Sequence, residues 1–120
     1  MGAPIVHVEI GTKDSGTAAE FYRQLFGWTV TADETGYGLI DTGADEEGIG
    51  GGIMPTMGPM EPYVTFYVGV DDLAASLADA ERLGGTSVLG PTPVPGVGAF
   101  ALFTDPDGNV IGLLRMDVPA

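Results

Sequence analysis

The 120-residue chain contains no cysteine. That removes disulfides, thiolate metal ligands, cysteine nucleophiles and thiol redox sensing together. It has a single histidine, His7, so metal chemistry would have to draw on one imidazole and on carboxylates. Four cations, Lys13, Arg23, Arg82 and Arg115, stand against 17 Asp and Glu, giving a formal net charge of −13. Such a chain repels phosphate backbones and anionic lipid surfaces, so neither nucleic acid nor membrane is an expected partner. Long apolar runs are missing as well, since Gly, Pro, Asp or Glu interrupts each one short of the roughly 18 residues of a membrane span. Met1-Gly2-Ala3-Pro4 lacks the basic and apolar regions of a secretory signal, and Val6 stands where a myristoylation signal has Ser or Thr. A cytoplasmic protein is the expectation.

Glycine, by contrast, is plentiful, with 20 residues, and proline contributes 9. The length suits one domain over 1–120, large enough to bury a core without covalent staples. Within it the sequence repeats. A shift of 58 sets Pro4-Ile5-Val6-His7-Val8-Glu9-Ile10-Gly11 on Pro62-Tyr63-Val64-Thr65-Phe66-Tyr67-Val68-Gly69, Leu25 on Leu83 and Gly27 on Gly85. A shift of 60 then sets Gly36 and Gly38 on Gly96 and Gly98, Asp45 on Asp105, and Gly48 on Gly108. The repeat divides the domain into a first module over 1–54, a Pro/Gly-punctuated linker over 55–61, and a second module over 62–120.

Each module reads as βαβββ. Residues 4–10 and 62–69 alternate and are rich in β-branched and aromatic side chains, predicting strands. Ala18, Phe21, Tyr22, Leu25 and Phe26 form one apolar stripe of a helix over 15–26, with Asp14 or Ser15 as N-cap and Gly27 as C-cap. Leu73, Leu77, Ala80 and Leu83 repeat the stripe after Asp71 or Asp72, with Gly84 as the stop. Strands are predicted near 28–33, 36–41, 49–54, 86–90, 98–104 and 109–116. Asp105-Pro106-Asp107-Gly108-Asn109 reads as a turn, since Pro presets φ and Gly supplies a positive φ. It also mimics the start of a calcium loop, but Val110 stands where that loop needs Gly.

Period two places Val6, Val8 and Ile10 on the helix-facing side of the first strand, with Ile5, His7 and Glu9 opposite. On the second module's first strand Val64, Phe66 and Val68 face the helix. Tyr63, Thr65 and Tyr67 then share the polar side, which lines solvent or a partly wet cavity. A lone strand histidine is more often a satisfied structural group than a ligand, and tyrosines on strands are ordinary packing residues. Trp28 reads as core, and Asp45-Glu46-Glu47 as a solvated acidic loop. No nucleophile elbow is present, and Gly48-Ile49-Gly50-Gly51-Gly52 lacks the Lys and Ser/Thr of a phosphate loop.

The βαβββ repeat, Ala19-Glu20-Phe21-Tyr22-Arg23-Gln24-Leu25-Phe26-Gly27-Trp28, and Asp105-Pro106-Asp107-Gly108-Asn109-Val110-Ile111-Gly112-Leu113 resemble the vicinal oxygen chelate superfamily. That superfamily includes glyoxalase I, bleomycin-resistance proteins and extradiol dioxygenases. The resemblance implies an α+β fold in which two tandem βαβββ modules form a curved mixed sheet around a cleft, in homodimers. It implies metal-ligand places at His7, Gly52, Thr65 and Gly112, where His7 is the one retained ligand candidate. Gly112 has no side chain where metal-dependent relatives carry Glu, and Thr65 stands where many carry His. A catalytic divalent ion wants about three protein ligands. The expectation is therefore no cofactor and a metal-free cleft, with a divalent metal as the alternative. The cleft is expected to bind a small aromatic or cationic ligand through Tyr63, Thr65, Tyr67, Val110, Gly112 and Leu114. The rival expectation is an enzyme: a metal-dependent lyase, isomerase or dioxygenase using His7, or a metal-free catalyst with His7 as acid/base, Glu9 orienting it and Tyr67 donating a hydrogen bond.

Overall fold

A computed structural model describes residues 2–34, 36–44, 48–56 and 58–116. Asp45, Glu46, Glu47 and Met57, which belong to the predicted acidic loop and linker, lie outside the described residues. The element order is β1(Ile5–Thr12), α1(Ser15–Phe26), β2(Thr29–Ala32), β3(Gly38–Asp41), β4(Gly51–Pro55), β5(Tyr63–Gly69), α2(Leu73–Arg82), β6(Thr86–Val94), β7(Gly98–Thr104) and β8(Val110–Met116). This is the α+β, twice-βαβββ architecture that the periodicity predicts.

The chain forms two compact units, one of residues 7–65 and one of residues 1–6 with 66–120. In the first, β1 pairs parallel to β4, while β3 pairs antiparallel to both β4 and β2. In the second, β5 pairs parallel to β8, and β7 pairs antiparallel to both β8 and β6. The strand orders β2-β3-β4-β1 and β6-β7-β8-β5 are thus the same topology, as a duplicated sequence requires. A parallel first-to-last pair needs a long crossover, and the helix and two middle strands supply it.

The helix ends follow from local chemistry. Asp14 accepts from the Thr17 amide and Asp72 from the Ala75 amide, each satisfying an N-terminal donor that has no partner within the helix. Gly27 closes α1 at φ 75°, a left-handed conformation that costs glycine nothing. The predicted turn after β7 also forms: Asp105 accepts from the Asp107 and Asn109 amides, with Gly108 at φ 89°.

The core of the second unit packs Leu73 and Leu77 of α2 on Ala99, Ala101 and Leu113 of the sheet, with Val68, Val70 and Phe103 at its margin. Three sequence expectations need correction. Val64 is 77% exposed rather than covered by a helix. In α1, Phe21, Leu25 and Phe26 are all exposed and no residue is fully buried, so the predicted apolar stripe faces outward in part. Strand β6 runs on through Pro91 and Pro93 to Val94, with register shifts between Ser87 and Leu89 and between Leu89 and Thr92. Proline is tolerated there because β6 pairs on one side only within its unit, so one row of amides is never called on.

Candidate functional site

Strand alternation puts His7 and Glu9 on one face of β1, two residues apart. Of the two settings the sequence allows for that face, open solvent or a partly wet cavity, it is not the open one: Glu9 is 1% exposed and His7 is half-buried. Two tyrosines close over it. The Tyr63 hydroxyl, from the start of β5, donates to Glu9 Oε2 at 2.7 Å. The Tyr37 hydroxyl, just before β3, hydrogen-bonds to Glu9 and lies 2.8 Å from His7 Nε2.

Glycines make this reach possible. Glu9 pairs in register with Gly52 on β4, and a Cβ at Gly52 would fall on the Tyr37 hydroxyl and ring. A Cβ at Gly11 would likewise fall on the Tyr63 ring. Each ring therefore lies across a position with no side chain, and its hydroxyl arrives at the carboxylate between them. Tyr37 is aimed by the turn before it, in which Asp33 Oδ1 accepts from the Tyr37 amide and Gly36 takes φ 90°.

The polarity of the chain of hydrogen bonds follows from counting protons. A carboxylate only accepts, so Tyr37 and Tyr63 each give their single hydroxyl proton to Glu9. Tyr37 must then accept from His7, which fixes the imidazole as the Nε2–H tautomer. Burial and the negative charge of Glu9 raise both phenols well above the ordinary tyrosine range, so they remain donors. Burial lowers the His7 pKa, outweighing the opposite pull of Glu9, and the ring is neutral at pH 7. The result is a neutral, oriented imidazole backed by a phenol and a carboxylate, an arrangement able to accept or relay a proton.

Thr65 is buried in this same unit, at 5% exposure. The other expected site residues, Tyr67, Val110, Gly112 and Leu114, belong to the second unit. Tyr67 is 4% exposed, pairs in register with Gly112, and meets Phe100 edge to face with ring centroids 6.3 Å apart. A Cβ at Gly112 would come within 2.5 Å of the Tyr67 ring. Sequence reading missed Tyr37, whose role depends on a turn and on a glycine in another strand. One available signal was its setting between Gly36 and Gly38.

Among the described residues, the ligand places that the resemblance implies do not supply a donor set for a divalent metal. Of the four ligand places implied by resemblance, Gly52 and Gly112 offer no donor and are each overlaid by a tyrosine ring. Among the described residues no group of three His, Asp or Glu could hold an ion. No helix of the described residues is long and apolar enough to cross a membrane.

A model of the Glyoxalase/Bleomycin resistance protein/Dioxygenase superfamily matches residues 4–113. "Putative glyoxylase CFP32" of Mycobacterium tuberculosis is 31% identical over 111 residues, covering 89% of this chain and 42% of the relative. "Anthracycline biosynthesis protein DnrV" of Streptomyces peucetius is 29% identical over 133 aligned positions, covering 98% and 48%. The chain thus spans less than half the length of these relatives. Methylmalonyl-CoA epimerase from Mycobacterium tuberculosis superposes with a TM-score of 0.67 at 17% identity, covering 95% of this chain and 88% of that one. The Mn(II)-bound glyoxalase from Novosphingobium aromaticivorans superposes with a TM-score of 0.64 at 21% identity, covering 98% and 42%.

Proposed function

We propose, for a chain that belongs to the Glyoxalase/Bleomycin resistance protein/Dioxygenase superfamily, a metal-independent role in binding a small aromatic or cationic molecule. The observation that carries this reading is the Tyr37 ring over Gly52, which puts aromatic surface where a metal-dependent relative needs a ligand. Aromatic faces welcome flat rings and cations, and a net charge of −13 draws cationic ligands in. The relative named for anthracycline biosynthesis is consistent with a small-molecule role. Isothermal titration calorimetry of metal-stripped protein against a panel of planar aromatic amines tests the proposal. Binding that survives chelator and weakens in Tyr37→Ala is the expected result. No binding across the panel, or binding that requires added Mn(II) or Zn(II), would overturn it.

A second reading is favoured by one feature, the His7–Tyr37–Glu9 chain of hydrogen bonds. In it the protein is a metal-free acid/base enzyme, with His7 moving the proton and Glu9 holding its tautomer through Tyr37. Exchange of an acidic C–H of a carbonyl or thioester substrate in D2O, read by NMR with chelator present, would report it. His7→Gln would abolish that exchange while leaving binding in place.

A further inference from the structure

The two units fold one duplicated sequence, so each is a standard for the other. At the shift of 58, Tyr22 of α1 corresponds to Ala80 of α2, and Trp28 after α1 to Thr86 after α2. In the first unit Tyr22 stacks on Trp28, with ring centroids 5.5 Å apart and planes 23° from parallel. The second unit has neither ring. Beside Ala80 a groove of about 350 Å³ opens instead, along the C-terminal half of α2.

The groove is built from apolar side chains. Leu113 of β8, 5% exposed, lies at its floor with the half-buried Phe103 of β7. Ala80 and Leu83 form the helix wall, and Leu83 is 67% exposed. Pro106 closes one end, its ring 3.7 Å from where a Cβ at Gly84 would stand. Strand alternation puts Leu113 on the helix-bearing side of the sheet, opposite to Gly112 and the Tyr67 ring that overlies it. A flat ring laid in the groove would take the exposed face of Leu83 out of water, as Tyr22 and Trp28 do for each other in the first unit.

Charge selects what can enter. Asp79 and Asp105 both border the groove. Hydrogen bonds from the Asn109 side chain and amide hold the Asp105 carboxyl below the usual carboxylate range, so it is charged at neutral pH. Its Oδ1 accepts from the Asp107 and Asn109 amides and its Oδ2 from the Asn109 side chain, which leaves Oδ2 able to accept once more. Asp79 shares one oxygen with Arg82 at 3.3 Å, and both side chains are well exposed, so that pair is weak. The groove also lies at the C-terminal end of α2, where the helix dipole is negative. An anion is opposed by all of these, and a cation is favoured.

We propose that this groove is a second ligand site, which takes a planar aromatic cation: the ring lies against Leu83 and Phe103, and a charged N–H donates to Asp105. It is separate from the His7 site, since every residue of it belongs to the other unit. The two sites therefore succeed or fail independently.

Proflavine, a flat tricyclic cation, tests the proposal by NMR on the isotope-labelled full chain with chelator present. Proflavine-dependent shifts of the Ala80, Leu83, Phe103 and Asp105 amides are expected. They should vanish in Ala80→Tyr, which installs the ring that the duplicate carries at this place, and persist in Tyr37→Ala. Naphthalene sulfonate, flat but anionic, should leave the same amides in place. Groove amides unmoved by millimolar proflavine, groove shifts that persist in folded Ala80→Tyr, or equal shifts from naphthalene sulfonate would overturn the proposal. The wild-type map needs no variant, so it decides the matter if Ala80→Tyr fails to fold. Shifts confined to the amides around Tyr37 and Gly52 would overturn the groove site while supporting the His7 site, and shifts confined to the groove would do the reverse.

Discussion

Replacing Tyr37 by Phe keeps the ring over Gly52 and removes one oxygen, so it isolates the hydrogen bonds at the centre of the site. Two contacts are lost: the donation to Glu9 and the acceptance at 2.8 Å from His7 Nε2. Glu9 is 1% exposed, so water cannot simply take the place of the missing donor. A hydrogen bond to a charged group contributes about 1.5–3 kcal/mol, and a cost of about 2 kcal/mol is expected here. Unfolding entropy near 2.1 cal/mol/K per residue gives about 250 cal/mol/K for this chain, so 1 kcal/mol shifts Tm by about 4 °C. Scanning calorimetry should therefore show a fall of about 8 °C. Tyr63→Phe removes the 2.7 Å bond on the same carboxylate, and the double variant should depart from additivity by at least about 0.5 kcal/mol. A Tm change below about 2 °C in Tyr37→Phe, with strict additivity in the pair, would refute the claim that Glu9 depends on these hydroxyls.

Other outcomes follow from the same geometry. Since burial holds the folded His7 pKa below its unfolded value near 6.5, the unfolded state binds the extra proton first. The His7 contribution is intact above about pH 6.5 and lost as pH falls through the folded pKa, so the stability of His7→Gln relative to wild type should improve on acidification in urea melts. Gly112→Ala drives a methyl to 2.5 Å from the buried Tyr67 ring and should cost about 1–3 kcal/mol by chemical denaturation. Gly90→Ala, where a Cβ meets nothing within 4 Å, should change stability by less than about 0.5 kcal/mol. Leu77→Ala, in the α2 core, should cost about 2–5 kcal/mol. Asp72→Ala removes the cap on the Ala75 amide and should cost about 1 kcal/mol.

Much of the fold was legible because it rests on local signals. The helix caps at Asp14 and Asp72, the stop at Gly27 and the turn at Asp105–Asn109 each involve neighbours in sequence. The matching topology of the modules was legible from the repeat. Strand β6 extended further than expected because a proline reads as a breaker unless one knows that its strand has a free side. The site was half legible. Period two placed His7 and Glu9 together, yet a carboxylate on a strand reads as solvated, since Glu is rarely buried without partners. Its partners, Tyr37 and Tyr63, come from other strands and reach it through missing side chains at 52 and 11. Such an absence carries no local periodicity. The outward Phe21 and Leu25 were misplaced for a related reason: an apolar stripe shows that a helix face wants cover without saying who provides it.

The tyrosines laid over glycines tie together positions distant in sequence. Residues 37 and 52, 63 and 11, and 67 and 112 each share one volume, which a ring fills from one side. A larger side chain cannot enter at the glycine while the ring stays, and the ring cannot leave without opening a void. These positions should therefore change as couples among descendants of the same ancestor, an aromatic at one going with glycine at the other. Where a descendant carries a carboxylate at 52 or 112, its tyrosine should be gone.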